Sequence, residues 1–499
     1  MDKTKVPPFV TRVTTRLQEA GFEAYLVGGC VRDILMDKTP KDWDLTTNAR
    51  PEQVIAAFPE LKTVNENTFG TVTVLNMPPE AGEDVARETP DHNNQVQVTT
   101  YRSEGDYGDN RHPDHVSYET DIRRDLERRD FTMNAIAWDP IKDSVIDVFG
   151  GIKDIKDKSI RCVLYPEVRF KEDALRMLRA IRFSTTLSFT VSHETVSAIV
   201  ANAGLLEHVS GERIRDELVK IIDSDAPAAG IDLLQKTGLL QYIIPELREG
   251  IGCDQKGAHI YDVYQHLLHA LQHAADKKLS TIVRLTALFH DIGKPATRRY
   301  DRSRDKYTFY GHEVVGARMT QKILDRLRFS REIVTRVTSL VRNHMFFSDT
   351  EQITLSAVRR IIQKVGPEHI WELMEVRECD RVGMKKAEAP YRLRKYHAMI
   401  EEALRDPISV SQLAIDGKYL MEVLHMKPGP RMGWILHALL EEVLEDPSLN
   451  TVEKLSERAK DLDELEDKDL KVLGEKGKEK KEDLDQEEVK KLRTKHGVK

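Results

Sequence analysis

Between residues 24 and 151 this chain alternates short strand-like runs with helical periods, and after Gly151 the strand pattern stops while helical periods run almost to the end. A period of two and a period of 3.6 bury different faces, so the change marks a change of architecture. The strand runs are AYLV, DLTT, TVTVL, VQVTTY, NAIAWD and SVIDVF. They predict an α+β unit with a small sheet, followed by helical units. The polar stretch PPEAGEDVARETPDHNNQ, with three prolines, reads as an exposed hairpin loop. Beyond Gly151 the helices break at Pro245, Gly252, Pro295, Pro367, Pro390, Pro407 and around Pro428. At 499 residues the chain exceeds one hydrophobic core and predicts roughly three or four units.

The start, MDKTKVPPFV, carries no apolar core of signal-peptide length, and no run approaches the roughly 18 apolar residues of a membrane span. The expectation is a cytoplasmic protein with no membrane partner. Cys30, Cys162, Cys253 and Cys379 lie far apart, against a disulfide framework or zinc ribbon, and are expected reduced and buried. The net charge is −7, and −5 without residues 461–499, so acidity belongs to the folded body. A polyanion partner would need a local basic patch. One exists between Arg161 and Arg182, where six basic residues face three acidic ones, and binding there should weaken as salt rises.

The first chemical constellation is LVGGCVRDILMDKTPKDWDLTTN. Strand residues run into Gly28 and Gly29, a helix follows, and Arg32 adds a cation, so free N–H groups face a turn open to phosphate. Asp42 and Asp44 lie two apart, which in a strand puts both carboxylates on one face. Such a pair repels itself unless a cation sits between. Magnesium takes oxygen ligands from one or two carboxylates plus substrate phosphates, so the combination predicts metal-assisted nucleotidyl transfer. A lone Gly-Gly turn or Asp-x-Asp is ordinary; together within about twenty residues they are not.

GGCVRD followed by KDWDLTT resembles nucleotidyltransferases of the DNA polymerase β superfamily, in the version carried by bacterial class II tRNA CCA-adding enzymes and their poly(A) polymerase relatives. The resemblance implies a catalytic Mg²⁺ on Asp42 and Asp44, with Gly28, Gly29 and Arg32 at the incoming nucleotide. It continues through LERRDFTMNAIAWD, where Arg129 would contact the nucleotide and Asp130 its ribose, and through Asp147, Gly150 and Gly151, similar to the family's hinge.

RFKEDALRMLRAIRF reads as one packed helix with Leu175, Leu178 and Ile181 on its apolar face and Asp173 and Arg176 as neighbours on another. Cytosine and adenine both show an amine donor beside a ring-nitrogen acceptor, whereas uracil and guanine show a carbonyl beside a ring N–H. A carboxylate next to a guanidinium fits the first pair and opposes the second. The resemblance assigns this template-like role to Glu172, Asp173 and Arg176. Arg179 and Arg182 drift around the helix and are expected to hold phosphate or ATP, while SGERIRDEL, with Glu212 and Arg213, resembles the family's motif that braces this helix. YRSEGDYGDNRHPDHVSYE reads as a mobile loop. Arg102, Glu104, Tyr107, Asp109 and Arg111 match elements of the flexible loop of full CCA-adding enzymes, which implies competence for the terminal A.

A second constellation runs through DVYQHLLHALQH, ALFHDIGKP, YGHEVVGA, VRNHMFF and RECDRVG. Converging imidazoles and carboxylates are divalent-metal ligands. HDIGKP resembles the signature of HD-superfamily phosphohydrolases. This implies His266, His290, Asp291 and Asp380 as ligands of a divalent transition metal, His312 and His344 as extra ligands or phosphate contacts, and Lys294 on a phosphate oxygen.

The reading is therefore a polymerase-β-like nucleotidyltransferase head with a small mixed sheet (1–155), an all-α neck with the nucleotide-selecting helix (156–252), an HD domain (253–385), a helical body and tail supporting tRNA (386–460) and a charged solvated tail (461–499). The implied activity is untemplated addition or repair of the 3′-terminal CCA of tRNA from CTP and ATP, with phosphohydrolysis as a second activity. The alternatives are a poly(A) polymerase, or an HD phosphohydrolase whose head senses nucleotides. The sequence leaves the oligomeric state open.

Overall fold

The computed structural model describes residues 1–65, 70–77, 94–104, 116–255, 260–345, 354–382, 390–404 and 410–476. They divide into two units, Met1–Ile243 and Ile244–Lys499. The first unit opens with the helix Pro8–Glu19, whose Val10, Val13 and Leu17 recur every three or four residues and are fully buried. The strands before Gly151 are β1 (Ala24–Val27), β2 (Asp44–Thr47), β3 (Lys62–Asn65), β4 (Thr71–Leu75), β5 (Gln95–Thr100), β6 (Arg102–Glu104), β7 (Val116–Tyr118), β8 (Ala137–Asp139) and β9 (Ser144–Ile146).

Seven of them form one mixed sheet in the order β3-β4-β5-β2-β1-β8-β9. The β2–β5 pair is parallel and the rest are antiparallel. The six expected strands all form. The short polar β3 (KTVN) escaped the pattern because its residues are exposed or half-buried. The polar hairpin stretch lies almost wholly outside the described residues, but the strands it joins, β4 and β5, pair antiparallel as a hairpin requires.

Register places the chemistry. Leu26 of β1 pairs with Leu45 of β2, and Val27 pairs with Ala137 of β8. The C-terminal end of β1 and the starts of β2 and β8 therefore lie side by side. Gly28, Asp44 and the turn before β8 converge at one sheet edge.

Helices Pro166–Glu172, Leu175–Leu187, His193–Asn202, Gly211–Ile222 and Pro227–Lys236 complete the first unit. The expected single helix over RFKEDALRMLRAIRF is two, because Asp173 adopts φ −143° and ψ 104° and its carboxylate accepts from the Leu175 N–H. An aspartate that caps the next helix competes with continuing the previous one. Leu175, Leu178 and Ile181 are buried as expected.

The second unit is helical, with one core around Ala270, Ala274, Val283, Ala287, Val376 and Cys379 and another formed by residues from Leu340 to Leu470. Two corrections arise here. Ser159–Ile160 pairs parallel with Thr190–Val191 in the neck expected to be all-α, and the hairpin Arg299–Asp301 with Lys306–Thr308 interrupts the later helices, so strands do not end at Gly151. Residues 461–476 are not a solvated tail: the helix Val452–Asp463 runs past 460, and a helix Asp467–Lys476 follows. Leu470 is fully buried there, and Gly474 lies so close to Trp434 that an added Cβ would meet its Cα at 2.6 Å. All four cysteines are free and buried, and no described helix is long and apolar enough to cross a membrane.

Candidate functional site

The converging strand ends build the first site. Gly28 holds φ +79°, and a Cβ on it would lie 3.3 Å from Arg129 Nη1 and 3.7 Å from Asp44 Oδ2. The glycine turn, the arginine and one expected metal carboxylate therefore meet. Strand β2 begins at Asp44, so Asp42 sits in the bend before it. Their charges still couple: burial raises the pKa of Asp44, Arg129 opposes this, and Asp42 adds to it.

Arginine placement follows from buried acids. Asp125, fully buried, takes Arg128 at 2.7 Å, Arg129 at 3.1 Å and the Thr46 hydroxyl of β2 at 3.2 Å. Burial works against its charge, but the two guanidiniums hold its pKa below the ordinary value. Asp130 accepts from the Phe131 N–H, from Asn134 and from Arg179 at 2.6 Å. Arg179 and Asn134 overcome burial and bring its pKa down to about 2. Asn134 also accepts from Arg32, which is further held by Asp33. Sequence reasoning missed Asp125 and Asn134. The only signal was an acid four residues before Arg129, in a stretch of mixed charge.

Asp173 and Arg176 do not pair with each other as drawn from helical spacing. Asp173 Oδ2 takes Arg213 at 2.8 Å, while Arg176 takes Glu172 at 3.1 Å and donates to the Arg128 carbonyl at 2.9 Å. Both nevertheless line one cavity of about 260 Å³ with Arg128, Arg129, Asp130, Leu175, Arg179 and Arg213. Five guanidiniums against two carboxylates make it an anion receptor. Arg182 is outside this lining. It pairs with Glu217 at 3.0 Å, and burial brings its pKa down to about 10.

Asp147 accepts from the N–H groups of Gly151 and Ile152, capping the helix Gly151–Lys156. A Cβ on Gly151 would lie 2.1 Å from the Thr132 carbonyl, so only glycine allows that approach. Arg102 and Glu104 lie on β6, paired with β7, so the ends of the expected mobile loop are an antiparallel ribbon. Tyr107, Asp109 and Arg111 lie outside the described residues.

The second site gathers every residue expected of it. His266 Nε2 lies 3.1 Å from His290 Nε2 and 3.4 Å from both Asp291 Oδ2 and Asp380 Oδ1. His312 and His344 approach the other oxygen of Asp291 at 3.1 and 3.7 Å. Two groups able to hold a metal, His266/His290/Asp291/Asp380 and Asp291/His312/His344, thus share one carboxylate.

The Nδ1 atoms of His290, His312 and His344 each sit 2.7–2.8 Å from a carbonyl three residues earlier. That fixes the tautomer with Nε2 lone pairs facing inward, the orientation a metal ligand requires. The fixed lone pairs of His312 and His344 lie 3.3 Å apart with carboxylates beside them, which calls for a cation, so the donor set fits a divalent metal. With only protons available, burial disfavours charge on His290, yet Asp291 and Asp380 carry its pKa up to about 10. Lys294 sits 2.5 Å from Asp291 and 2.7 Å from Gln255.

Three family profiles match in chain order: "Poly A polymerase head domain" over 24–161, "Probable RNA and SrmB- binding site of polymerase A" over 188–251, and "HD domain" over 258–383. A CCA-adding enzyme of Lactobacillus helveticus is 31% identical over 454 residues, spanning 90% of this chain and 96% of that one. The chain belongs to the CCA-adding enzyme family. A second member, from Geobacillus thermodenitrificans, is 42% identical over 245 residues, 49% of this chain and 56% of its own length, so there the match spans about half of the relative. The crystal structure of the Bacillus stearothermophilus CCA-adding enzyme in complex with CTP superposes with a TM-score of 0.64 at 26% identity, covering 93% of this chain and 99% of that family member.

Proposed function

We propose that this chain adds or repairs the 3′-terminal CCA of tRNA from CTP and ATP without a nucleic-acid template. The observation that carries the reading is the apposition of Gly28, Arg129 and Asp44 beside a cavity lined by five arginines and two aspartates. In the reaction the terminal ribose oxygen of tRNA attacks the α-phosphorus of the nucleotide, the bond to the β-phosphate breaks, and pyrophosphate leaves. Mg²⁺ held by Asp42 and Asp44 would supply activation of the hydroxyl and shielding of the leaving phosphates. Arg32 and Arg129 hold the phosphates, Asp130 the ribose, and Asp173 with Arg176 the base edge. Cytosine and adenine then keep every hydrogen bond, whereas uracil or guanine leaves buried polar groups unpaired at about 1–3 kcal/mol each.

Arg179, fixed by Asp130, and Arg213, fixed by Asp173, set the positions of those two carboxylates. The His/Asp cluster is read as a divalent transition-metal phosphohydrolase site, with Lys294 able to turn from Asp291 to a substrate phosphate.

Incubation with labelled CTP or ATP and tRNAs ending before CCA, after CC, or complete tests the main reading. The first tRNA should gain three nucleotides, the second one A, and the third none. Open-ended A tails would indicate a poly(A) polymerase, addition of A alone would restrict the enzyme to the last step, and no incorporation would overturn the reading.

A further inference from the structure

The hairpin that interrupts the helical unit sits between two residues of the His/Asp site. Lys294 precedes it by five residues and His312 follows it by four. The Phe309 ring packs against Lys294 Nζ at 5.6 Å, and the Phe309 carbonyl accepts from His312 Nδ1 at 2.8 Å. Five residues separate Tyr307 from His312, so at full stretch they lie within about 17 Å of each other.

Its surface is unusual for a connecting loop. Tyr300 and Tyr307 are cross-strand partners, so both rings stand on one face, with centroids 5.4 Å apart. Arg298 lies 3.7 Å over the Tyr307 ring, and Tyr300 is 49% exposed. From Arg298 to Tyr307 there are five basic residues and two acidic ones. Both acids are engaged within the hairpin: Asp301 accepts from Ser303 and pairs with Arg304, and Asp305 accepts from the Tyr300 hydroxyl. A basic surface with an aromatic and guanidinium ladder is what stacks unpaired bases and follows a phosphate backbone.

We infer that this hairpin docks the 3′-terminal nucleotides of a single-stranded RNA, so that the His/Asp site acts on a phosphate at an RNA end and not on a free mononucleotide. The inference rests on the phosphohydrolase reading of that site, and it commits to RNA because charge complementarity and stackable rings point to unpaired bases.

Two measurements on the full chain separate the claims. With Mn²⁺ added, hydrolysis is followed for a ten-nucleotide RNA ending in a 2′,3′-cyclic phosphate and for 2′,3′-cyclic AMP. The oligomer should be preferred in kcat/KM by roughly tenfold or more, and Tyr300→Ala should remove most of that preference, since stacking on one aromatic ring is worth about tenfold. The mononucleotide rate should stay unchanged, and Tyr300→Phe should restore the oligomer. Equal kcat/KM for both substrates would overturn the inference while leaving the phosphohydrolase reading intact.

Independently of turnover, the same RNA carrying 4-thiouridine at its penultimate position should crosslink to peptides within 298–311, and Tyr300→Ala should abolish those crosslinks. Crosslinks elsewhere only would overturn the docking claim even if hydrolysis occurs. Hairpin crosslinks without hydrolysis of either substrate would sustain docking and remove the phosphohydrolase reading.

Discussion

The two sites solve different electrostatic problems. In the first, three carboxylates already have protein partners: Asp125 holds Arg128 and Arg129, Asp130 holds Arg179, and Asp173 holds Arg213. The cavity is lined by five guanidiniums and two carboxylates, while burial and Asp42 raise the pKa of Asp44 next to Arg129, so the site suits a nucleotide that brings its own cation. In the second, four imidazoles surround two carboxylates and three inward lone pairs are fixed by backbone carbonyls. What it lacks is a cation. On the proposed reading a nucleotide with its Mg²⁺ completes the first, and a divalent metal completes the second.

The contrast can be broken at several points. Removing the acid that organises the arginines should have the largest effect: Asp125→Ala strands two guanidiniums around a buried hole and should cost about 3–5 kcal/mol, read as a denaturation midpoint. If stability hardly changes, the arginines are not held as described. Chelation should strip metal from both sites, but only in the second do the expected ligands lie on or beside the helices whose exchange is read. At a hundredfold excess of metal over Kd the linkage is worth about 3 kcal/mol. Amides of the helices Val263–Asp276 and Thr281–Phe289 should therefore exchange faster with chelator, and those of Leu175–Leu187 should not. Equal acceleration in both would erase the distinction.

A smaller effect is pH-dependent. Asp130 is held at about 2 against an ordinary 3.8, so its contribution, about 2 kcal/mol, is fully present above 3.8 and lost as pH falls through 2. The stability gap between wild type and Asp130→Asn should thus be full at pH 6 and shrink below pH 3. A gap that persists at pH 2 would assign the effect to shape and not charge.

The residues of the second site were legible in the sequence, because side chains able to bind a metal are of few types and every one named from the HD resemblance lies in the cluster. The first was legible only in its inventory. Period counting made Asp173 and Arg176 neighbours on one helix, whereas Asp173 caps the next helix and turns to Arg213. Asp42 precedes the strand it was placed on. Partner choice among arginines depends on tertiary contacts such as Asp125 with Thr46 of β2, which no local spacing encodes. The hairpin at Arg299–Thr308 was missed because two three-residue strands are too short for alternation to stand out.

The central claim is that two chemically independent sites share one chain. It is tested most directly by measuring both activities, nucleotide incorporation into tRNA lacking CCA and hydrolysis of a terminal cyclic phosphate, in Asp44→Asn and Asp291→Asn. The account predicts that Asp44→Asn abolishes incorporation and keeps hydrolysis at the wild-type rate, while Asp291→Asn does the reverse. Loss of tRNA extension in a well-folded Asp291→Asn protein would contradict it.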